Sequence, residues 1–252
     1  MGYTDLVFDL YGTLVDIHTD ENALVWEKTA FFFGFYGAHY TGAALKTAFR
    51  EAMEQREARA GQSYECFPDI PFEEVMAQLF RAKGIEENAE GLGFQAAQLF
   101  RISSLDYVKL YPHVTQALKR LRDAGYRLWL LSNAQRVFTA YELRLLGLEE
   151  QLDGIYISSD YQCRKPDLRF YQALIDEQKL DVSRTLMIGN DRSTDIAGAK
   201  KAGMATLYMH TALTPADQPE ADKKKAIGVT DGREYEFEGD NWEELVELIL
   251  SL

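Results

Sequence analysis

Residues Asp5–Asp16 read DLVFDLYGTLVD, a short run of β-formers that stops at a lone carboxylate and turns through Gly12-Thr13. Leu6, Val7 and Phe8 form a continuous apolar run bounded by turn residues, the pattern of a strand buried on both faces. Asp9 therefore stands at that strand's carboxyl end. In open α/β sheets ligands bind at this edge, and Gly12 permits a sharp turn whose N–H groups can converge on an anion. A strand with a charged last residue and an ordinary turn would read the same on these residues alone, so the rest of the chain must decide.

Beyond Asp16 the hydrophobic period changes from strand to helix and stays helical to about residue 110. Leu45, Ala48, Phe49, Ala52 and Met53 recur at three and four residues, as do Phe72, Val75, Met76, Leu79 and Phe80, marking amphipathic helices with one buried face. Gly61–Pro71 separates these two helices, and a further helix is expected from about Glu90 to Val108. Phe31–Gly37 is dense in aromatics, which suits packing between helices or a substrate-facing surface.

From Tyr111 onward strands and helices alternate. Helices are expected at Pro112–Ala124, Arg136–Leu146 and Asp167–Gln178, and after Gly189-Asn190-Asp191 as far as Ala202, with Gly125, Gly147 and Gly203 as stops. Strands are expected at Arg127–Leu131, Gly154–Ser158, Thr185–Ile188 and Ala205–Tyr208, with a short one at Glu234–Glu238 before a closing helix at Trp242–Leu250. Thr214–Lys225 reads as a solvated loop. Repeated strand–helix units of this length imply an α/β fold, a parallel sheet with helices on both faces and right-handed crossovers. The expected organisation is one sheet domain, residues 1–16 and 111–252, interrupted by an all-helical domain at 17–110. An insertion directly after the first turn puts the helical part over the carboxyl edge as a lid.

A chain of 252 residues that is 46% hydrophobic has ample material for a core. Its formal charge of −13 works against an extended nucleic-acid partner, because phosphate-backbone binding depends on clustered Lys and Arg. No stretch approaches the apolar length of a membrane span, and the start lacks a basic region followed by an apolar one, so a soluble cytoplasmic protein is expected. Cys66 and Cys163 are too few and too far apart for a disulfide scaffold or a zinc site. Oligomeric state is not written in the sequence.

Polar clusters fall at the strand ends or in the loops beside them: Asp9, Ser132-Asn133, Lys165, and Asp191 with Asp195. In order these stand in DLYGT, LLSN, RKPD and GNDRSTD, and here the sequence resembles the haloacid dehalogenase superfamily of hydrolases over essentially its whole length. The resemblance implies a Rossmann-like core with a helical cap and a covalent mechanism in which Asp9 is the nucleophile. It further implies Mg²⁺ held by Asp9, the main-chain carbonyl of Tyr11 and an acid of the fourth motif. Lys165 would hold Asp9 and a phosphoryl oxygen, while the Ser132 hydroxyl and the N–H groups of Gly12, with its neighbour Thr13, and of Asn133 would bind the remaining substrate oxygens. Each residue also has a plainer reading. Ser132 suits a strand-terminal turn, Lys165 a solvated loop, and Asp191 and Asp195 the cap of the following helix.

Two departures from the family pattern qualify the implied function, a phosphatase of small phosphorylated metabolites. Phosphatases of the family carry a second Asp two residues after the nucleophile as general acid; here Tyr11 stands there, and losing a positioned proton donor typically costs about 10² to 10⁴ in rate. In the fourth motif Asn190 precedes Asp191, and Asp191 is preferred as metal ligand for its charge and its spacing to Asp195, the family's acidic pair. Tyr11 and Tyr171 both fit the metal-independent 2-haloacid dehalogenases, but no Arg lies at Phe35–Thr41, and Asp191 and Asp195 beside Asp9 call for a cation among them. A third reading is a phospho-ligand-binding protein with weak turnover.

Overall fold

The computed structural model describes residues 2–60, 66–215, 228–229 and 232–252. The loop expected at Thr214–Lys225 lies mostly outside the described residues. In chain order the elements are β1 (Asp5–Phe8), β2 (Val15–Thr19), α1 (Ala23–Phe35), α2 (Gly42–Ala60), α3 (Phe72–Arg81), α4 (Ala89–Ser104), β3 (Leu105–Leu110), α5 (Val114–Asp123), β4 (Arg127–Ser132), α6 (Arg136–Leu145), β5 (Gly154–Ile157) and α7 (Ser158–Tyr161). They continue with α8 (Leu168–Gln178), β6 (Thr185–Gly189), a π-helical turn (Arg192–Ile196), α9 (Ala197–Lys201), β7 (Ala205–His210), β8 (Gly228–Val229), β9 (Glu234–Glu238) and α10 (Trp242–Ser251).

One sheet runs β5-β4-β1-β6-β7-β9-β8, parallel from β5 to β9, with β8 antiparallel on the edge. This is a Rossmann-like α/β core. Alternation along β1 decides its two faces. Leu6 and Phe8 enter one apolar cluster with Leu118 and Leu121 of α5 and Trp242 and Leu245 of α10, whereas Val7 enters the other with Phe170 and Leu174 of α8. Each fully buried side chain of this size contributes about 1.5–3 kcal/mol.

Helices α1–α4 form a third apolar cluster of their own, which Phe138 of α6 joins from the side of the sheet. Within the aromatic stretch, Phe33 stacks on Phe80 at 3.8 Å between ring centroids, while Phe31 and Phe35 face solvent. Two expectations are corrected here. The helical period does not begin at Asp16, and the helix expected at Glu90–Val108 stops at Ser104, because β2 and β3 pair antiparallel, Val15 with Leu110 through Thr19 with Leu105. A two-stranded ribbon therefore joins the helical insert to the sheet. Ahead of α3, Asp69 reaches across to the sheet side, where its carboxylate accepts from Ser158 Oγ at 2.5 Å and Gln135 Nε2 at 2.8 Å.

Candidate active site at the carboxyl edge of the sheet

β1 lies between β4 and β6, with Phe8 level with Leu130 on one side and Ile188 on the other. Residues following these three strands therefore emerge together. Asp9, Ser132-Asn133 and Gly189–Asp191 meet at one edge, at the point where the strand order reverses and ligands enter such sheets. Lys165 reaches them from the loop after α7. Its ammonium is 1% exposed and donates to Asp9 Oδ1 at 2.7 Å, Asp195 Oδ1 at 2.6 Å and the Leu131 carbonyl at 2.7 Å, which uses all three of its protons.

The electrostatics follow from one cation facing two carboxylates. Burial works against the Lys165 ammonium, but the charges of Asp195 and Asp9 outweigh it and hold its pKa above the ordinary value. Burial pushes the Asp195 carboxyl up to about 7, opposed by Lys165 and reinforced by the charge of Asp9. Lys165 thus places one positive charge between Asp9 and Asp195. Gly189 has a spatial reason: a Cβ there would collide with the Asp195 carboxylate.

Positioning groups surround this trio. Asn133 clasps the backbone of Lys165, donating from Nδ2 to its carbonyl at 3.0 Å and accepting its N–H on Oδ1 at 2.7 Å. Tyr171, on α8, donates its phenol to the carbonyl of Thr194 at 2.8 Å, bracing the turn that carries Asp195. Ser132 Oγ is buried and has no hydrogen-bond partner among the described residues. An unsatisfied buried hydroxyl costs about 1–3 kcal/mol, and a substrate oxygen would remove that cost.

Three expectations change at this edge. Gly12, at φ +87°, does not offer its N–H to a ligand: that proton goes to the Val15 carbonyl at 2.8 Å, closing the turn. The N–H groups of Leu10 and Tyr11, directly after Asp9, take no backbone acceptor among the described residues. What Gly12 provides is room, because a Cβ would overlap the Asn190 carboxamide, to which Thr13 Oγ1 donates at 3.4 Å. Asp191 Oδ1 caps the π-helical turn, accepting from the N–H groups of Ser193 at 2.8 Å and Thr194 at 3.1 Å. Its plainer reading as a cap therefore holds for that oxygen. The Tyr11 phenol does not lie with the trio: it donates to Glu142 Oε2 on α6 at 2.5 Å and shares a hydrogen bond of 3.0 Å with Thr139. Glu142 and its partner Arg101 on α4 carried no signal in the sequence, since both read as ordinary helix-surface charges.

Mg²⁺ takes hard oxygens and is usually bound through one or two carboxylates, with waters and substrate completing the octahedron. Among the described residues no three His, Cys, Asp or Glu side chains gather closely enough to cage a metal ion. Of the three carboxylates that follow β1 and β6, Asp195 accepts from Lys165, and Asp9 and Asp191 are the oxygen donors that fit an open Mg²⁺ site completed by substrate. Cys163 is buried, and burial and the charge of Asp167 push its thiol up to about 11, which leaves little thiolate near neutral pH.

A family model described as a haloacid dehalogenase-like hydrolase matches residues 6–203. A glyceraldehyde 3-phosphate phosphatase of Methanothermobacter thermautotrophicus is 29% identical over 113 residues, 45% of this chain and 50% of that protein. The chain thus spans half the length of that relative. The (S)-2-haloacid dehalogenase 4A of Burkholderia cepacia is 25% identical over 223 residues, 88% of this chain and 89% of that protein. A solved HAD phosphatase from Thermococcus onnurineus superposes with a TM-score of 0.56 at 17% identity, covering 99% of this chain and 98% of that one, which shows the shared fold. No helix among the described residues is long and apolar enough to cross a membrane.

Proposed function

The chain belongs to the haloacid dehalogenase-like hydrolases, and from that premise we propose that it is a Mg²⁺-dependent phosphatase of a small phosphorylated metabolite, with Asp9 as nucleophile and residues 17–110 as the cap that selects the substrate. The observation that carries this reading is the buried Ser132 hydroxyl, without a partner among the described residues, at the same sheet edge as an aspartate whose neighbouring cation is already in place. A phosphoryl group at this edge would accept from Ser132 and from the amides that follow Asp9, and Lys165 would offset its charge against that of the attacking carboxylate. Attack by Asp9 on phosphorus would form an acyl phosphate and break the P–O bond to the alcohol, which takes its proton from water because no carboxylic acid stands two residues after Asp9; water would then attack the phosphorus, release inorganic phosphate and regenerate the carboxylate. Asp9, the Tyr11 carbonyl and Asp191 or Asn190 would hold the metal. Its chemistry there is charge neutralisation as two anions approach. Asn133 and Asp195 keep Lys165 in place throughout.

A second reading is a metal-independent C–halogen hydrolase. It is favoured by the ammonium of Lys165, which already sits between Asp9 and Asp195, and by the likeness to the Burkholderia dehalogenase over most of both chains. A panel of phosphorylated metabolites and 2-chloropropionate, assayed with Mg²⁺ and with chelator, separates the two, with Asp9→Asn as the blank. The phosphatase reading expects phosphate release that chelator abolishes. Halide release that survives chelator overturns it. Ligand-induced thermal stabilisation without product would instead make the chain a binding protein.

A further inference from the structure

Around Tyr11, two residues after Asp9, this chain has built a buried cluster that joins three separate elements. Tyr11 belongs to the nucleophile turn, Glu142 to α6 and Arg101 to the last turns of the helical insert. Arg101 donates from Nε to Glu142 Oε1 at 2.6 Å and from Nη2 to Glu142 Oε2 at 3.0 Å, a bidentate clamp, and its Nη2 lies 3.5 Å from the Tyr11 hydroxyl. The same guanidinium sits over the rings of Tyr11 and Phe138, at 5.8 and 5.3 Å from their centroids. Glu142 is 3% exposed. A charge so buried tolerates the loss of its partner poorly, so the cluster has one satisfied arrangement, with α4 seated against α6.

We infer that Arg101 and Glu142 are positioning residues that act through Tyr11, making the geometry of the Asp9 turn depend on the seating of the insert. The physical link is short. Tyr11 stands two residues from Asp9, and its main chain continues into the Gly12 N–H to Val15 carbonyl bond that closes the turn and leads into β2. Withdrawing α4 takes the guanidinium from Glu142 and leaves the Tyr11 phenol as the donor to a buried carboxylate. The turn is then tied to one element instead of two. This inference rests on Asp9 being the nucleophile but not on the nature of the leaving group.

The test is a cycle of Tyr11→Phe, Glu142→Gln and the double variant, read two ways on the full chain. Amide hydrogen exchange across residues 9–15 is expected to speed up in each single variant, with no further increase in the double. If exchange quickens only within α4 and α6, the cluster merely packs helices and the inference falls. With 4-nitrophenyl phosphate as probe, each single variant is expected to lose about 10- to 100-fold in kcat with little change in KM, as small misplacements of a nucleophile do. Losses that add in the double variant overturn the coupling. Arg101→Lys keeps a cation at Glu142 and is expected to recover most of the turnover that Arg101→Met loses. Should the parent not turn over the probe, the phosphatase reading fails alone, and the exchange measurement still decides whether the turn is coupled to the insert.

Discussion

Ser132→Ala separates stability from chemistry in this chain. Its hydroxyl is buried without a partner among the described residues, so deletion removes a desolvation cost of about 1–3 kcal/mol and adds only a small void. The variant is expected to melt at or above the parent temperature while kcat/KM falls roughly 10²- to 10³-fold, the loss typical of one donor to a developing oxyanion. Thermal denaturation and turnover of one preparation check this; a lower Tm with unchanged turnover refutes it. Lys165→Met makes the opposite case. It leaves Asp9 and Asp195 facing each other without their ammonium, which should cost about 3–5 kcal/mol in urea denaturation. Adding Asp195→Asn should restore part of that stability by removing one of the two charges, and no restoration would mean that Lys165 acts by packing alone. Asp9, Lys165 and Asp195 were legible in the sequence because charged residues of these types stand at strand ends or in the loops and turns that follow them. The fate of the Gly12 N–H was not, since a turn's internal hydrogen bond leaves no mark on residue type, and neither were Arg101 and Glu142, whose partners lie far along the chain.

At the scale of elements, the alternating half of the chain was read to within a few residues because its strands are continuous apolar runs and three of its helices, α5, α6 and α9, stop at glycines. The β2–β3 ribbon escaped. VDIHT and LDYVKL are partly exposed and polar, and neither Gly nor Pro stands between Arg101 and Leu110 to mark where α4 stops. The segment before α3 offers a test of how the insert is seated. Burial raises the Asp69 carboxyl above its ordinary range, against the lowering effect of its bonds from Ser158 and Gln135. The folded chain therefore holds this proton more tightly than the unfolded one. Stability contributed by Asp69 is present below the ordinary carboxylate pKa and is lost as pH rises from about 4 through the raised value. Asp69→Asn removes that titration, so the Tm of the variant minus that of the parent is expected to grow between pH 4.5 and 8. A difference that stays constant over this range would show that the buried carboxyl does not titrate there.

For the molecule as a whole, the separation of insert from sheet can be argued from where each apolar cluster draws its residues. Among the described residues, the two clusters on the faces of the sheet contain none between 20 and 104, and the cluster of α1–α4 borrows only the partly buried Phe138 from the rest of the chain. Thr19 and Leu105 are antiparallel partners, so their backbones already lie side by side at the end of the ribbon. An Asn-Gly turn suits that geometry, and joining the two positions through it replaces a long insertion with a short loop, whose closure costs less chain entropy. Arg101 leaves with the insert, so Glu142→Gln belongs in the same chain to avoid a buried carboxylate without its cation. The excised protein is expected to unfold in one cooperative step by circular dichroism, since every strand of the parallel sheet and both of its helical faces remain. It is also expected to lose the parent's discrimination among phosphorylated metabolites, because the elements covering the Asp9 edge are gone. Sloping thermal unfolding with no cooperative step would mean that the insert is part of the sheet's own core, and unchanged discrimination would mean that it does not choose the substrate.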